Sequence, residues 1–293
     1  MEGVLWAILG AIGFGSASVF ARLGLKEINT RTGTAISVIV NFIIAGILTL
    51  ILELDGIRDL SRMAFLWFII AAILTFPLAR VLNYQSVRML GAAKSAAIVS
   101  TQPMFSAILA ILILHETSNW FIGIGTVAIV LSVMSIVIDR QKGTTLEMEN
   151  VSQGIALAVC SAFCYALTSL TTKIIVNDHT TPLIGVTGSL MFGSLVMVAI
   201  SGKDLITPFK GPKGPLISLI LTGVSSGVGI TSTFFAMSYS PIIVVAPLLA
   251  TYPVFTLALS PILLRKLDIL SPIVVISTIT IVIGVVLIVF GNN

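Results

Sequence analysis

Charge is scarce in this sequence. Only 10% of its 293 residues are Asp, Glu, Lys or Arg and 57% are hydrophobic, where a soluble domain carries roughly 25% charged residues. A soluble fold this apolar could not cover its own surface, so that class is excluded. The twelve acidic residues fall in connections or at the ends of apolar runs, with Glu53 and Asp139 innermost. No carboxylate is therefore expected in mid-membrane to hold a proton or a cationic drug, which weakens a cation/proton antiport reading. Cysteine is limited to Cys160 and Cys164, one turn apart inside an apolar run and expected in the core. The two histidines, His115 and His179, have no metal-ligand spacing around them. Gly13-Phe14-Gly15 does not complete a G-x-G-x-x-G fingerprint, so no nucleotide loop is expected. No cofactor, metal or catalytic constellation is expected. The net charge of +4 reads as a topology signal, with no nucleic-acid partner.

What remains is apolar helix. A hydrocarbon core of about 30 Å takes about 20 residues at 1.5 Å each, and the chain holds ten candidate spans: 4–24, 34–53, 64–87, 92–114, 119–138, 154–175, 183–201, 215–239, 242–264 and 270–290. The fold class is thus an all-α integral membrane protein of the cell membrane, multi-pass, with lipid as its main surroundings. The first run has no basic residue before it and no A-x-A-like cleavage site, and is read as a retained helix. Monomer and homodimer are both compatible with the sequence.

One stretch occurs twice. Residues 97–116 read AIVSTQPMFSAILAILILHE and residues 247–266 read PLLATYPVFTLALSPILLRK. Both carry a Thr-x-Pro-x-Phe core (Thr101, Pro103, Phe105; Thr251, Pro253, Phe255), and Leu109/Leu259 and Leu114/Leu264 complete the identities. The match extends backward: at an offset of one more residue Gly3 meets Gly154, Ala7 meets Ala158, Phe14 meets Tyr165 and Arg22 meets Lys173. Internal duplication follows. The halves are 1–140 and 154–293, joined by a polar linker 141–153. With five spans in each, the second copy is expected upside down, giving two inverted five-helix repeats, a recurrent transporter architecture.

The basic residues follow the same inversion. Arg22, Lys26, Arg31, Arg88, Lys94, Arg140, Lys142, Lys203, Lys210, Lys213, Arg265 and Lys266 lie in the connections after spans one, three, five, seven and nine. The other connections hold Arg58, Arg62 and Lys173. The positive-inside rule puts the first set in the cytoplasm and both termini outside.

Arg80 is the remaining basic residue and lies within a span, in LTFPLARVLNYQSVRML. An ionisable group in the membrane is a functional-site hypothesis by default. Three readings stand: a substrate or gate residue, a partner of backbone carbonyls loosened by Pro77, or a side chain snorkelling to the headgroups. Asn83 and Tyr84 share its face. Polar stripes recur at helical spacing: Ser161, Tyr165, Thr168 and Thr172; Thr222, Ser226, Gly229 and Thr233; Ser95, Gln102 and Ser106, with Gln102 matched in the repeat by Tyr252. Each stripe is either helix-packing glue or one wall of a polar cavity. Pro103 and Pro253 sit where a broken helix would expose carbonyls to such a cavity and act as hinge or gate. His115-Glu116 at a helix boundary reads as an anchor and cap.

These features together resemble the EamA-type transporters of the drug/metabolite transporter superfamily. The resemblance rests on the two five-span halves, on PMFSAILAILILHE and PVFTLALSPILLRK, and on the closing IGVVLIVFG. It implies a basket of helices around a central cavity, the fifth and tenth helices peripheral, and alternating access. One departure is Arg265-Lys266 where the first half has His115-Glu116. The reading is a secondary transporter, not an enzyme, that moves a small-molecule substrate: small polar metabolites such as amino acids, in the export direction. Arg80, Asn83, Tyr84, Gln102, Tyr165, Thr168 and Tyr252 are the expected substrate-binding residues. The alternatives are an exporter of lipophilic compounds and a non-transporting membrane scaffold.

Overall fold

The computed structural model describes residues 1–25, 27–58, 60–90, 98–99, 101–139, 151–211, 213–252, 254–256, 258–259 and 272–291. Among them there is helix and no strand. The longer helices among the described residues are α1 (Glu2–Gly24), α2 (Thr30–Leu52), α3, α4 (Gln102–Leu114), α5 (Trp120–Asp139), α6 (Val151–Ile174), α7 (Pro182–Ser201), α8 (Lys213–Tyr239), α9 (Ile242–Leu249) and α10 (Pro272–Gly291), with a short helix at Leu54–Arg58 and a 3-10 helix at Gly202–Lys210. The α3 rod is continuous but changes pitch: Arg62–Ile73 is α-helical, Leu74–Arg80 π-helical and Val81–Leu90 α-helical again. A π-helical turn, Ile175–His179, also extends α6.

Helix starts follow from local chemistry. The Asn29 side chain accepts from the N–H groups of Arg31 and Thr32 at 2.8 and 3.3 Å, Ser61 from Ala64 at 3.1 Å, and Thr181, ahead of Pro182, from Ile184 at 3.4 Å. These are the orphan donors that an N-cap satisfies. Among the described residues, six helices are long and apolar enough to cross a membrane: the stretches Glu2–Ala21, Thr30–Leu52, Arg62–Asn83, Ser152–His179, Pro182–Ile206 and Lys213–Tyr239.

Burial is reversed relative to a soluble protein. Leu112, Ile124, Leu131, Ile276 and Phe290 are exposed, whereas Asn41, Ser161 and Ser232 are buried. Lipid tails are as apolar as leucine, so the helices associate through close packing and hydrogen bonds. Small residues make the approaches possible. A Cβ on Gly13 of α1 would lie 2.6 Å from the Gly229 backbone nitrogen of α8, and one on Gly125 of α5 would lie 2.7 Å from the Gly284 carbonyl oxygen of α10. Phe68 and Phe76 of α3 press onto Gly188 and Gly193 of α7.

These contacts also give the helix directions. α1 runs antiparallel to α8, with Gly3 at Ser240 and Gly24 at Leu219. α2 runs parallel to α8, with Gly33 at Leu219 and Asn41 at Gly227, and antiparallel to α7, where Ser201 donates to the Arg31 carbonyl and Thr49 bonds Thr187 at 2.7 Å. α3 runs parallel to α7 and antiparallel to α6. α5 and α10 form an antiparallel pair, in which Asn119 donates to the Gly291 carbonyl at 2.7 Å. Exchanging the two sets of five helices preserves the packing: α1 on α8 becomes α6 on α3, α2 on α8 becomes α7 on α3, and α1 on α9 becomes α6 on α4.

Two sequence expectations are corrected. Cys160, expected in the core, is exposed, on the outward face of α6 with Ile155, Val159 and Phe163. Lys173, assigned to a connection, belongs to α6 and is buried, 9% exposed. Hydropathy marks a span but does not say which side of it faces the interior.

Gly13→Val must push α1 off α8, whereas a Cβ on Gly123 would meet nothing within 4 Å. We expect Gly13→Val to cost about 1–3 kcal/mol, seen as a lower melting temperature in detergent. Gly123→Val should melt with the wild type, and equal melting of all three proteins would refute this account of the α1/α8 contact.

Candidate functional site

The repeated Thr-x-Pro element makes the same local structure twice. The N–H of Thr101 donates to the Ile98 carbonyl at 3.1 Å and its hydroxyl to the same oxygen at 2.7 Å, while the Met104 N–H returns to the Thr101 carbonyl at 2.9 Å. In the second half the Thr251 N–H and hydroxyl reach the Leu248 carbonyl at 3.2 and 2.7 Å, and Val254 returns to Thr251 at 2.9 Å. Each is a tight i→i−3 turn, the first leading into α4 and the second following α9. Proline two positions on has no N–H to give the preceding turn, so the threonine hydroxyl replaces part of the lost bonding. Pro103 is buried at the start of α4; Pro253 lies outside the described residues.

A third irregularity is the π-helical turn of α3, which contains Pro77 and ends at Arg80. π-turns arise where the i→i−4 ladder is disturbed, and they recur at functional sites. The Thr75 hydroxyl donates to the Ala71 carbonyl at 2.7 Å, and from α6 the buried Ser161 hydroxyl donates to the Ala79 carbonyl at 2.8 Å. Arg80, next along, is half-buried, and its guanidinium carbon stands 5.3 Å from the centre of the Phe76 ring, in cation–π range. Asn83 is half-buried one turn on. The Tyr84 side chain and Ser95 lie outside what is described.

α6 is the element against which these pieces meet, packing on α3, α4 and α9. The Thr168 hydroxyl lies 3.2 Å from that of Thr75 and donates to the Cys164 carbonyl at 3.1 Å. Gln102 of α4 is 3.4 Å from the Ser169 hydroxyl, and the Phe105 and Phe163 rings meet edge to face at 6.0 Å. Tyr165 is half-buried on the same helix. Tyr252 follows the α9 break and is 38% exposed, its backbone against Gly15 of α1. Tyr165 and Thr168 of α6 are thus joined by Arg80 of α3, Gln102 of α4 and Tyr252, just beyond α9. The α8 stripe is not part of that cluster. Ser226 bonds Asn41 of α2 at 3.2 Å and Gly229 packs on Phe14 of α1, so those residues join helices.

Two concavities lie elsewhere. One of about 600 Å³ runs along α5 at Asn119, Trp120, Gly123 and Val127. The other, of about 390 Å³, is at a helix-end face between Glu27, Asn29 and Thr32 and Asp204 and Pro215.

Sequence reasoning overlooked one pair. The buried Lys173 ammonium donates to the carbonyls of Met237 at 2.5 Å and Ser240 at 2.9 Å. The Glu116 carboxylate, read as a cap, accepts from the N–H groups of Ile242 at 2.9 Å and Ile243 at 3.1 Å. The repeat held a signal for the lysine, because its partner position Arg22 also ends a span. Among the described residues no group of His, Cys, Asp and Glu could hold a metal ion.

The profile of the EamA-like transporter family matches the chain twice, over residues 1–138 and 152–290. A protein of known crystal structure superposes with a TM-score of 0.83, covering 99% of this chain and 97% of its own at 11% identity, a likeness of fold. No curated protein matches the chain.

Thr101→Val and Thr251→Val each remove one hydroxyl bond while keeping side-chain volume. Each should cost about 1 kcal/mol, a fall of roughly 2–4 °C in melting temperature. Unchanged melting of both variants would show that the hydroxyls do not support the breaks.

Proposed function

The chain belongs to the EamA-like transporter family, and from that premise we propose a secondary transporter that exports small polar metabolites, amino acids or related compounds, by alternating access. It is a multi-pass membrane protein. The observation that carries the substrate class is Arg80: a permanent cation inside a span, half-buried at the end of the π-helical turn and held over Phe76. A carboxylate is the complementary ligand, since Arg binds it through two parallel charge-assisted hydrogen bonds. In this reading Arg80 attracts the carboxylate, and Asn83, Tyr84, Gln102, Tyr165, Thr168 and Tyr252 orient the rest of the solute. The breaks beside Pro103 and Pro253 are the hinges.

The ten-helix, inverted-repeat architecture is part of the proposal, and the helix directions support it. α1 opposes α8, α8 follows α2, α2 opposes α7, α7 follows α3, and α3 opposes α6. Taken in sequence these relations make α1 and α6 opposite, as the first helices of inverted halves must be. Packing preserved under exchange of halves is what lets two such halves swap conformations and open the centre to either side. The aromatic rings of Phe76, beneath Arg80, and Phe105, one turn from Gln102, favour a second reading, export of lipophilic compounds.

Counterflow in proteoliposomes preloaded with unlabelled amino acids, without an ion gradient, tests the proposal. Labelled amino acids should accumulate saturably. Arg80→Ala should weaken apparent affinity for carboxylate-bearing solutes about ten- to a hundredfold, the equivalent of the roughly 1.5–3 kcal/mol of a charged hydrogen bond, with Arg80→Lys in between. Wild-type transport by a folded Arg80→Ala protein would remove Arg80 from the mechanism. Accumulation of lipophilic solutes alone would favour the second reading.

A further inference from the structure

Two charged side chains grip the turn between α8 and α9 from opposite ends. Lys173 of α6 supplies a cation to the last carbonyls of α8, at Met237 and Ser240. Glu116, after α4, supplies an anion to the first N–H groups of α9, at Ile242 and Ile243. Between them stands Pro241, which has no N–H. A helix carries about half a positive charge at its N-terminus and half a negative charge at its C-terminus, so each side chain meets the opposite sign. The Lys173 ammonium is also near enough to Glu116 to be attracted by it. This end of the bundle is packed with rings: Trp6 stacks on Phe235 at 4.8 Å and Trp67 on His179 at 6.3 Å.

We propose that Lys173 and Glu116 are positioning residues that latch the α8–α9 turn to the ends of α6 and α4, closing this face, and that opening it requires both to release. The inference rests on the alternating-access reading. A caps-only role would stabilise the fold without biasing which face opens. The repeat argues for a bias. Lys173 is matched by Arg22, but Glu116 is matched by Lys266, so the related position of the other half has no anion to offer a helix N-terminus. The complete latch belongs to one face alone, the face opposite the strongly basic connections. The resting protein is therefore closed there and opens to the basic, cytoplasmic side.

The test measures the separation of the latched elements in the full-length protein in lipid nanodiscs. Spin labels are placed at Asp178 and Tyr239, both exposed, after Cys160→Ser and Cys164→Ser. Wild type should give one short, narrow distance. Lys173→Met and Glu116→Gln should each raise the share of a longer distance at least tenfold, and Lys173→Arg should keep the wild-type pattern. If Lys173→Met does not fold, Glu116→Gln, of the same size and with one acceptor left, carries the test. Folded variants with the wild-type distance overturn the latch. A charge-swapped double variant, Lys173→Glu with Glu116→Lys, should open further, because each charge would then face a helix end of its own sign. Recovery of the short distance in the swap would overturn the helix-end account in favour of a simple ion pair. The two proposals fail separately: a shifted distance without amino-acid counterflow in wild type removes the substrate reading and keeps the latch, whereas counterflow with unmoved distances removes only the latch.

Discussion

In hydrocarbon there is no water to accept a hydrogen bond from a broken helix, so every backbone N–H and C=O must find a partner within the protein. The rest of this structure depends on that constraint, because each irregularity in the helices is a place where the α-helical ladder fails. Thr101 and Thr251 lend hydroxyls to the carbonyls of Ile98 and Leu248. Ser161 reaches across from α6 to Ala79 at the end of the π-helical turn. Lys173 and Glu116 do the same work with full charges at the turn between α8 and α9. The side chains that read as polar decoration in the sequence are largely the means by which departures from helix are tolerated.

Close packing is the second requirement, and it determines where the irregularities meet. Because lipid offers no hydrophobic drive between helices, contact area must come from backbones that approach closely. Gly13 against Gly229 and Gly125 against Gly284 provide it. With α1 on α8 and α5 on α10, α6 packs on α3 and α4, which carry Arg80 and Gln102, and on α9, which Tyr252 follows. A packed interface of this sort has discrete arrangements and resists continuous deformation.

The membrane class and the duplication could be read without coordinates. So could the importance of Thr-x-Pro, since proline in a repeated apolar run removes the same hydrogen bond in both copies. Arg80 was visible because a charge inside a span is costly and rare. The stripes were harder. Thr168 and Ser226 both lie on polar faces at helical spacing, yet Thr168 lies in the cluster around α6 and Ser226 ties α8 to α2. Periodicity reports that residues share a face and is silent on what that face meets.

Lys173 shows the boundary most plainly. Two residues from a span end, a lysine reads as a loop charge, and the composition of its neighbourhood offers no correction. Its burial depends on the α8 carbonyls at Met237 and Ser240, more than 60 positions away in the chain. Cys160 is the converse case, an apolar-run residue whose exposure follows from which side of α6 its neighbours cover. The sequence by itself determined the solvent, the helical class, the repeat and the chemistry available in each span, because hydropathy, proline and charge act locally. Tertiary structure alone decided which faces meet, which charges are capped and which polar groups gather around α6, because these depend on contacts between residues distant in sequence and on helix directions that local periodicity does not encode.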